Sequence, residues 1–314
     1  MRTLQSYALS GLLSIATALG FSQATDIPER LGYPRGSKLL IIHADDLGFT
    51  HSQNMASIDG LAKGLVNSGS IMVPCPWFEE VAAYAREHRD QDLGLHLTLN
   101  SEWKYYKWAP VSARDSVASL VNASGYFYSA VDSLGMYGKA EEVERELRNQ
   151  IRKAYKAGID VTHLDAHMGA AVSRPDYLAA YLRLGKEYQL PVLLDKRIYQ
   201  IEHPGIKSLL DRRTVVLDTI YSALPSDFAS GMTSYYSTVL RNLEPGLHCL
   251  LIHLAFDNDE MKAVTVDHPE WGAEWRQADY DFFTSNTRKE ILREENIYLV
   301  TWRELRDKVV RASP

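Results

Sequence analysis

Short apolar runs that end in polar, titratable residues are the feature that most limits how this chain can fold. The run Lys38–His43 has the sequence Lys-Leu-Leu-Ile-Ile-His, which is typical of a buried parallel strand, and Asp45 and Asp46 follow it directly. Further apolar runs are predicted as strands at Gly69–Pro74, Leu93–Leu99, Val161–Asp165, Pro191–Leu194, His248–His253 and Ile297–Thr301. Helical patterns such as Phe78–His88 and Glu141–Ala157 separate them. This alternation predicts an α/β fold with a parallel sheet.

The titratable residues best suited to catalysis or metal binding fall within or just after these predicted strands. They are His43, Asp45, Asp46, His96, His163, Asp165, His167 and His253. In a barrel of parallel strands, the active site lies at the carboxyl ends of the strands. We therefore predict a distorted TIM-like (β/α) barrel of parallel strands. An open doubly wound sheet, with its site at a switch point, is the competing architecture.

Composition excludes some classes of function. The chain has 314 residues, of which 46% are hydrophobic, and a formal net charge of -6. The length is enough for one large domain or two modest ones. The net charge is not basic enough to suggest a nucleic-acid-binding surface. Cys75 and Cys249 both lie in apolar surroundings, which favours buried free thiols over a disulfide.

The first 24 residues have the pattern of a signal peptide. Met1-Arg2 gives a positive start, Ala8–Phe21 is apolar and rich in small residues, and Ser22-Gln23-Ala24 resembles a cleavage site. We predict a signal peptide at 1–24, one catalytic domain at 25–314, and export to the periplasm or the extracellular space. A simple N-terminal helix is the alternative. No later segment approaches the roughly 18 apolar residues that a membrane helix needs, so we expect no integral membrane segment after signal removal.

The adjacent carboxylates of Asp45 and Asp46 need partners if they are buried. On an extended backbone they would point to opposite faces. A tight turn, with Gly48 allowing unusual backbone angles, would let both approach one site. The alternative is a turn that ends the strand, with an aspartate capping the next helix.

The histidines leave two interpretations open at each position. His163, Asp165 and His167 share one face of an extended strand, which suggests a metal ligand with supporting groups or a salt-bridged rim. His96, flanked by leucines, is compatible with a metal ligand or a core residue. His253, at the end of an apolar run, is compatible with a general acid or base or with a hydrogen-bonded core residue.

Motifs for other chemistries are absent from the sequence. There is no Gly-x-Ser-x-Gly elbow of an ordinary esterase and no glycine-rich phosphate loop. The segment 100–138 is aromatic and irregular, which is typical of a functional loop or an insertion. Its stretch Trp103–Trp108 could offer faces for stacking on sugar rings or pack as a lid.

Three ordered motifs resemble those of the YdjC-like carbohydrate deacetylases, a family that includes diacetylchitobiose deacetylase. They are His43–Gly48 (His-Ala-Asp-Asp-Leu-Gly), Gly94–Leu99 (Gly-Leu-His-Leu-Thr-Leu) and Thr162–His167 (Thr-His-Leu-Asp-Ala-His). The late blocks Trp275–Asp281 and Leu299–Leu305 also resemble the end of that family, so the likeness spans roughly Lys38 to Lys308.

The resemblance implies a metal-dependent hydrolase that removes an acetyl group from an N-acetylated amino sugar or oligosaccharide. One divalent metal ion, zinc or magnesium, would be held by Asp46, His96 and His167. Asp45 would be the general base and His253 the general acid, while Asp165 would orient its neighbours. A small carbohydrate is then the expected substrate, and a homodimer is a possible assembly.

The sequence departs from the family pattern at two places. Met168-Gly169-Ala170 follows His167 where relatives often have further histidines, and Pro191–Leu194 lacks an arginine that relatives tend to carry. These departures, with the predicted export, leave the substrate more open than the reaction. Two rival functions remain: another amide or ester hydrolase on the same metal frame, and a non-catalytic carbohydrate-binding protein. Retention of both Asp45 and His253 argues against the second rival.

Overall fold

A computed structural model describes residues 27–312, and within them the strands form one parallel sheet. The strands are β1 (Lys38–Leu47), β2 (Ser68–Ile71), β3 (Leu93–Leu97), β4 (Leu164–Ala166), β5 (Thr219–Ser222), β6 (Gly246–Ile252) and β7 (Ile297–Leu299). Their hydrogen-bonded order is β4-β3-β2-β1-β6-β5, and β7 pairs with the first residues of β1. The predicted signal peptide at 1–24 lies outside the described residues, so the signal and the export stay predictions.

Helices connect the strands, as the predicted alternation requires. They are α1 (Ile27–Leu31), α2 (His51–Ala62), α3 (Phe78–Glu87), α4 (Val131–Tyr137), α5 (Ala140–Lys156), α6 (Pro175–Tyr188), α7 (Pro204–Lys207), α8 (Pro225–Ser230), α9 (Met232–Arg241), α10 (Asp259–Val264), α11 (Ala273–Thr284), α12 (Asn286–Glu294) and α13 (Trp302–Leu305). Short 3₁₀ segments lie at Arg114–Leu120, His167–Val172 and Lys196–Gln200, and a π-helical turn lies at Arg306–Val310. Within residues 27–312, no helix combines the length and the apolar character needed to cross a membrane.

The predicted strand Pro191–Leu194 is wrong as a regular strand, but this segment closes the barrel. The Leu193 N–H donates to the Leu164 carbonyl of β4 at 2.9 Å, and the Leu217 N–H donates to the Leu194 carbonyl at 2.8 Å. Single parallel bridges therefore link the edge strand β4 to the chain that enters the other edge strand, β5. The expected distorted TIM-like barrel is confirmed, with its irregularity concentrated at this closure.

The interior of the barrel changes from apolar to polar along β1. Residues at alternate positions of a strand share one face. On that face, Leu39 and Ile41 pack in an apolar cluster with Trp302, whereas His43 and Asp45 continue it as buried polar groups. Apolar side chains thus fill the barrel at the amino ends of the strands, and the titratable groups lie at the carboxyl ends. Cys75 and Cys249 are buried free thiols, as expected.

Gly94 of β3 is required because the ring of His163 lies directly against it. A Cβ at this position would overlap the imidazole. We expect Gly94→Ala to lower the free energy of unfolding by about 1–3 kcal/mol, the usual cost of overpacking a core. The control is Gly135→Ala inside α4, where a Cβ meets nothing within 4 Å. That change is expected to stabilise by about 0.5–1 kcal/mol. Denaturant unfolding measures both, and equal effects would contradict the packing argument.

Candidate active site

One extra residue at the end of β1 brings the two adjacent carboxylates to one site. Between Ala44 and Leu47, β1 advances three residues while its partner β2 advances two, which is the register shift of a β-bulge. Asp46 has φ +67°, in the left-handed region that short polar side chains tolerate best. The expected turn after the strand is therefore a bulge within its last residues. The capping alternative is excluded, because Thr50 caps α2 by accepting from the Gln53 N–H.

Asp46, His96 and His167 converge as the sequence predicted. Asp46 Oδ1 lies 3.3 Å from His96 Nε2 and 3.5 Å from His167 Nδ1, and all three side chains are buried. Among the described residues, Asp46 Oδ1 has no partner with hydrogen-bond geometry. A buried carboxylate oxygen without a hydrogen bond is costly unless something else compensates its charge.

The other nitrogen of each imidazole is already occupied, which fixes the direction of the ring. His96 Nδ1 lies 2.6 Å from Asp165 Oδ1, and His167 Nε2 lies 3.1 Å from Glu102 Oε2. Carboxylates in this position hold a metal-binding histidine in the correct tautomer and raise its basicity. His96 Nε2 and His167 Nδ1 are thereby left to face the same unpartnered oxygen of Asp46.

One carboxylate and two imidazoles fit a divalent metal ion, and they leave positions open for water and substrate. Two other groupings of nearby acidic and histidine side chains fit less well. Both depend on Asp165, whose two carboxylate oxygens already bond to His96 and His43. The chemistry of the donor set therefore favours Asp46, His96 and His167 as the metal ligands.

The electrostatics of this cluster are those of a compensated buried anion. Burial alone would raise the pKa of Asp46, but the charge of Arg276 and the two imidazoles hold it well below its usual range. Burial opposes a charge on His167, yet Glu102 and Asp46 raise the pKa of that imidazole to about 9. A metal ligand must be deprotonated, so loading of an ion would release protons from this site.

Asp45 and His253 line the same cavity as the three candidate ligands. Asp45 Oδ1 is 3.1 Å from His43 Nε2, and Asp45 Oδ2 is 3.9 Å from His253 Nε2. His253 follows β6 directly, and its side chain faces the cavity. Burial, followed by the nearby charge of Arg276, lowers the pKa of His253 to about 4. This imidazole is therefore neutral at neutral pH in the protein without a bound ion.

Helix α11 contributes two site residues to which sequence reasoning gave no role. Arg276 Nη2 donates to Asp46 Oδ2 at 2.9 Å, and Arg276 Nη1 donates to Gln53 Oε1 at 2.8 Å. One turn later, Asp279 Oδ2 accepts from the backbone N–H of His253 at 2.9 Å. Both residues are buried. The late block Trp275–Asp281 was the available signal, but its spacing alone shows neither partner.

The structure places His163 away from the cavity and brings Glu102 to its wall. His163 lies deeper in the barrel, stacked on Trp302 with ring centroids 5.1 Å apart, and it does not line the cavity. Of the three residues expected on one face, only His167 reaches the cavity, while Asp165 supports His96 from behind. Glu102 was missed because it lies in an irregular loop, where spacing carries no information.

The site opens into a cavity of about 450 Å³, within the usual size of small-molecule sites. Asp45, Asp46, His96, His167, His253 and Arg276 line one part of it, and Trp103, His268 and Trp271 line another. Trp103 and Trp108 are almost entirely buried, and Trp103 stacks on Phe49 at 5.5 Å. These two tryptophans are thus packed side chains, and Trp103 also forms part of the cavity wall. Trp271, in the loop before α11, is partly exposed and lines the same cavity.

Comparison with known proteins identifies the family. Residues 39–294 match the model of the YdjC-like proteins. The chain belongs to the YdjC-like family. A carbohydrate deacetylase of Thermus thermophilus is 36% identical over 290 residues, covering 90% of this chain and 98% of the relative. A carbohydrate deacetylase of Thermoanaerobacter pseudethanolicus is 26% identical over 269 residues, covering 84% and 98%.

The fold of this YdjC-like chain is also similar to that of a solved protein from Enterococcus faecalis. That protein, described as a cellobiose-phosphate cleavage protein, superimposes with a TM-score of 0.70 at 24% identity. The match covers 86% of this chain and 99% of the other. The likeness supports the barrel architecture.

The buried ion pair between Arg276 and Asp46 is expected to be necessary for stability. Arg276→Met removes the only cation that bonds Asp46 Oδ2 among the described residues, and leaves that buried oxygen without its hydrogen-bond donor. In the presence of chelator, we expect the free energy of unfolding to fall by about 3–5 kcal/mol, as when other buried pairs are broken. The control is Arg241→Met, which removes an exposed pair with Glu294 and should cost about 1 kcal/mol or less. Similar losses in both variants would contradict the assignment.

Proposed function

We propose that this chain is a metal-dependent deacetylase that hydrolyses the acetamide of an N-acetylated amino sugar or oligosaccharide. The observation that carries the proposal is the convergence of His96 and His167 on an unpartnered oxygen of Asp46, with Asp45 beside them in the same cavity. The family and the names of two relatives support a carbohydrate substrate.

The division between the two aspartates follows from their contacts. Asp46 faces both ligand imidazoles, whereas Asp45 faces His43 and His253. Asp46, His96 and His167 would hold a divalent ion, which would supply a Lewis acid for the acetyl carbonyl. Asp45 is free to accept the proton of an attacking water, which is the role of a general base.

His253 lies at the cavity wall beside Asp45 and delivers a proton to the leaving amine. Because its pKa is low, this imidazole is neutral when the substrate arrives and takes up a proton during the reaction. Asp45 Oδ2 lies 3.9 Å from His253 Nε2 and is the acidic group that passes this proton on. Asp279 fixes the backbone of His253 and so keeps the ring at the cavity wall.

Removal of the metal tests the reaction class. Wild-type protein treated with a strong chelator and desalted is expected to release no acetate from N-acetylated chitooligosaccharides, and zinc, magnesium or another divalent ion should restore the activity. Asp46→Asn is expected to stay inactive after the same addition, because a metal-binding oxygen is lost. Full activity in chelator, together with an active Asp46→Asn variant, would overturn the proposal. Turnover of only other amides or esters would favour the rival hydrolase.

Asp45→Asn separates catalysis from metal binding. This variant is expected to bind one ion per chain like the wild type but to lose about 10²–10⁴-fold in kcat, the usual contribution of a general base. Metal content and kcat are measured on the same preparation. Asp132→Asn, an exposed aspartate on α4, is the matched control and should change neither. Loss of the metal in Asp45→Asn would show that Asp45 is a ligand instead.

A further inference from the structure

His43 lies beside the site and contacts Asp45 and Asp165, two carboxylates outside the proposed ligand set. Its Nε2 is 2.8 Å from Asp165 Oδ2 and 3.1 Å from Asp45 Oδ1, while Nδ1 is 2.9 Å from Ser68 Oγ. The side chain is fully buried. One imidazole edge therefore bridges the residue that supports His96 and the residue proposed to take the proton from water.

Few other groups compete for this bridging position. Asp165 divides its two oxygens between His96 and His43. Among the described residues, the side chain of Asp45 has further contacts with Ser70 Oγ, at 3.4 Å, and with His253 Nε2, at 3.9 Å. Arg276, the buried guanidinium of the site, bonds to the other aspartate, Asp46. His163 packs edge-on against His43 at 4.9 Å and makes no bond to either carboxylate. His43 is thus the positively charged or hydrogen-donating group between Asp45 and Asp165.

We propose that His43 is a positioning residue that holds Asp45 in line for the reaction and, through Asp165 and His96, sets the affinity of the metal site. The inference rests on the proposed function. Asp45 and Asp165 are two buried carboxylates around one imidazole, and their like charges repel each other unless a hydrogen-bond donor lies between them. A carboxylate that supports a metal-binding histidine needs its own second partner to keep its orientation. His43 meets both requirements with one ring edge.

The charge of the His43 imidazole agrees with its position next to two carboxylates. Burial opposes a charge on His43, but the hydrogen bonds to Asp165 and Asp45 and their negative charges outweigh it and raise its pKa to about 9. With both nitrogens protonated, Nδ1 donates to Ser68 Oγ and Nε2 donates to Asp165 Oδ2, with Asp45 Oδ1 3.1 Å away within ion-pair distance. A neutral amide side chain such as glutamine carries no charge and cannot reproduce this arrangement.

The test compares His43→Gln with His163→Gln, a change of a second buried histidine in the same interior. Metal affinity is measured by competition with a chromophoric chelator, kcat and KM are measured at saturating metal, and unfolding is measured in denaturant. We expect His43→Gln to weaken metal binding by about 10–100-fold, as other supporting partners of metal ligands do. We also expect kcat to fall by a similar factor, with KM changed much less. His163→Gln should lose stability while keeping metal affinity and kcat.

A double-mutant cycle tests whether His43 acts on the metal site through Asp165. If His43 acts on the metal through Asp165, the effects of His43→Gln and Asp165→Asn on metal affinity will be far from additive. Ser68→Ala, which removes only the Nδ1 partner, serves if His43→Gln does not fold, and a smaller loss of the same kind in kcat is expected. Unchanged metal affinity and kcat in a folded His43 or Ser68 variant would overturn the proposal. The metal measurement needs no substrate, so it still decides the role of His43 if the chain does not act on acetylated sugars.

Discussion

The β-bulge at the end of β1 is the constraint on which the site depends. A regular strand would send Asp45 and Asp46 to opposite faces of the sheet. The extra residue between Ala44 and Leu47, with φ +67° at Asp46, turns both into one cavity. Backbone strain of this kind persists only where the surroundings enforce it, and it concentrates at functional sites. Here Arg276 and the two ligand histidines hold Asp46 in place.

The several buried carboxylates at the carboxyl end of the barrel repel one another, and the fold compensates their charges with paired partners. Arg276 faces Asp46, His43 faces Asp45 and Asp165, and Glu102 faces His167. Each imidazole that points at the unpartnered oxygen is supported by a carboxylate on its far side. Among the described residues, Asp46 Oδ1 is therefore left without a hydrogen-bond partner while it faces two imidazole nitrogens.

The sequence predicted the parts of the site that regular structure carries. Apolar runs ending in charged residues predicted the strand ends, and the helical pattern at Phe78–His88 corresponds to α3 at Phe78–Glu87. The same pattern put His96 and His167 at strand ends, whereas their choice as metal ligands came from the family resemblance. Arg276, Asp279 and Glu102 could not be placed this way, because their partners are distant in the chain and only the closed barrel brings them together.

The periodicity of apolar residues also could not predict the details of the backbone. A bulge depends on one residue of register between neighbouring strands, which no single segment encodes, so the pair Asp45-Asp46 was expected in a turn after the strand. The segment Pro191–Leu194 has the composition of a strand, yet it makes only single bridges because it spans the irregular closure of the barrel. Several short helices between residues 204 and 284 were not predicted, since their patterns cover too few turns.

The most direct test is a crystal structure of the protein loaded with a divalent metal, with the ion located by its anomalous scattering. The account predicts one ion in the cavity, bound by Asp46 Oδ1, His96 Nε2 and His167 Nδ1 at about 2.0–2.2 Å for zinc, with Asp45 outside the coordination sphere. An ion bound instead by Asp45, or at His43 and His163, would contradict the division of roles between the two aspartates.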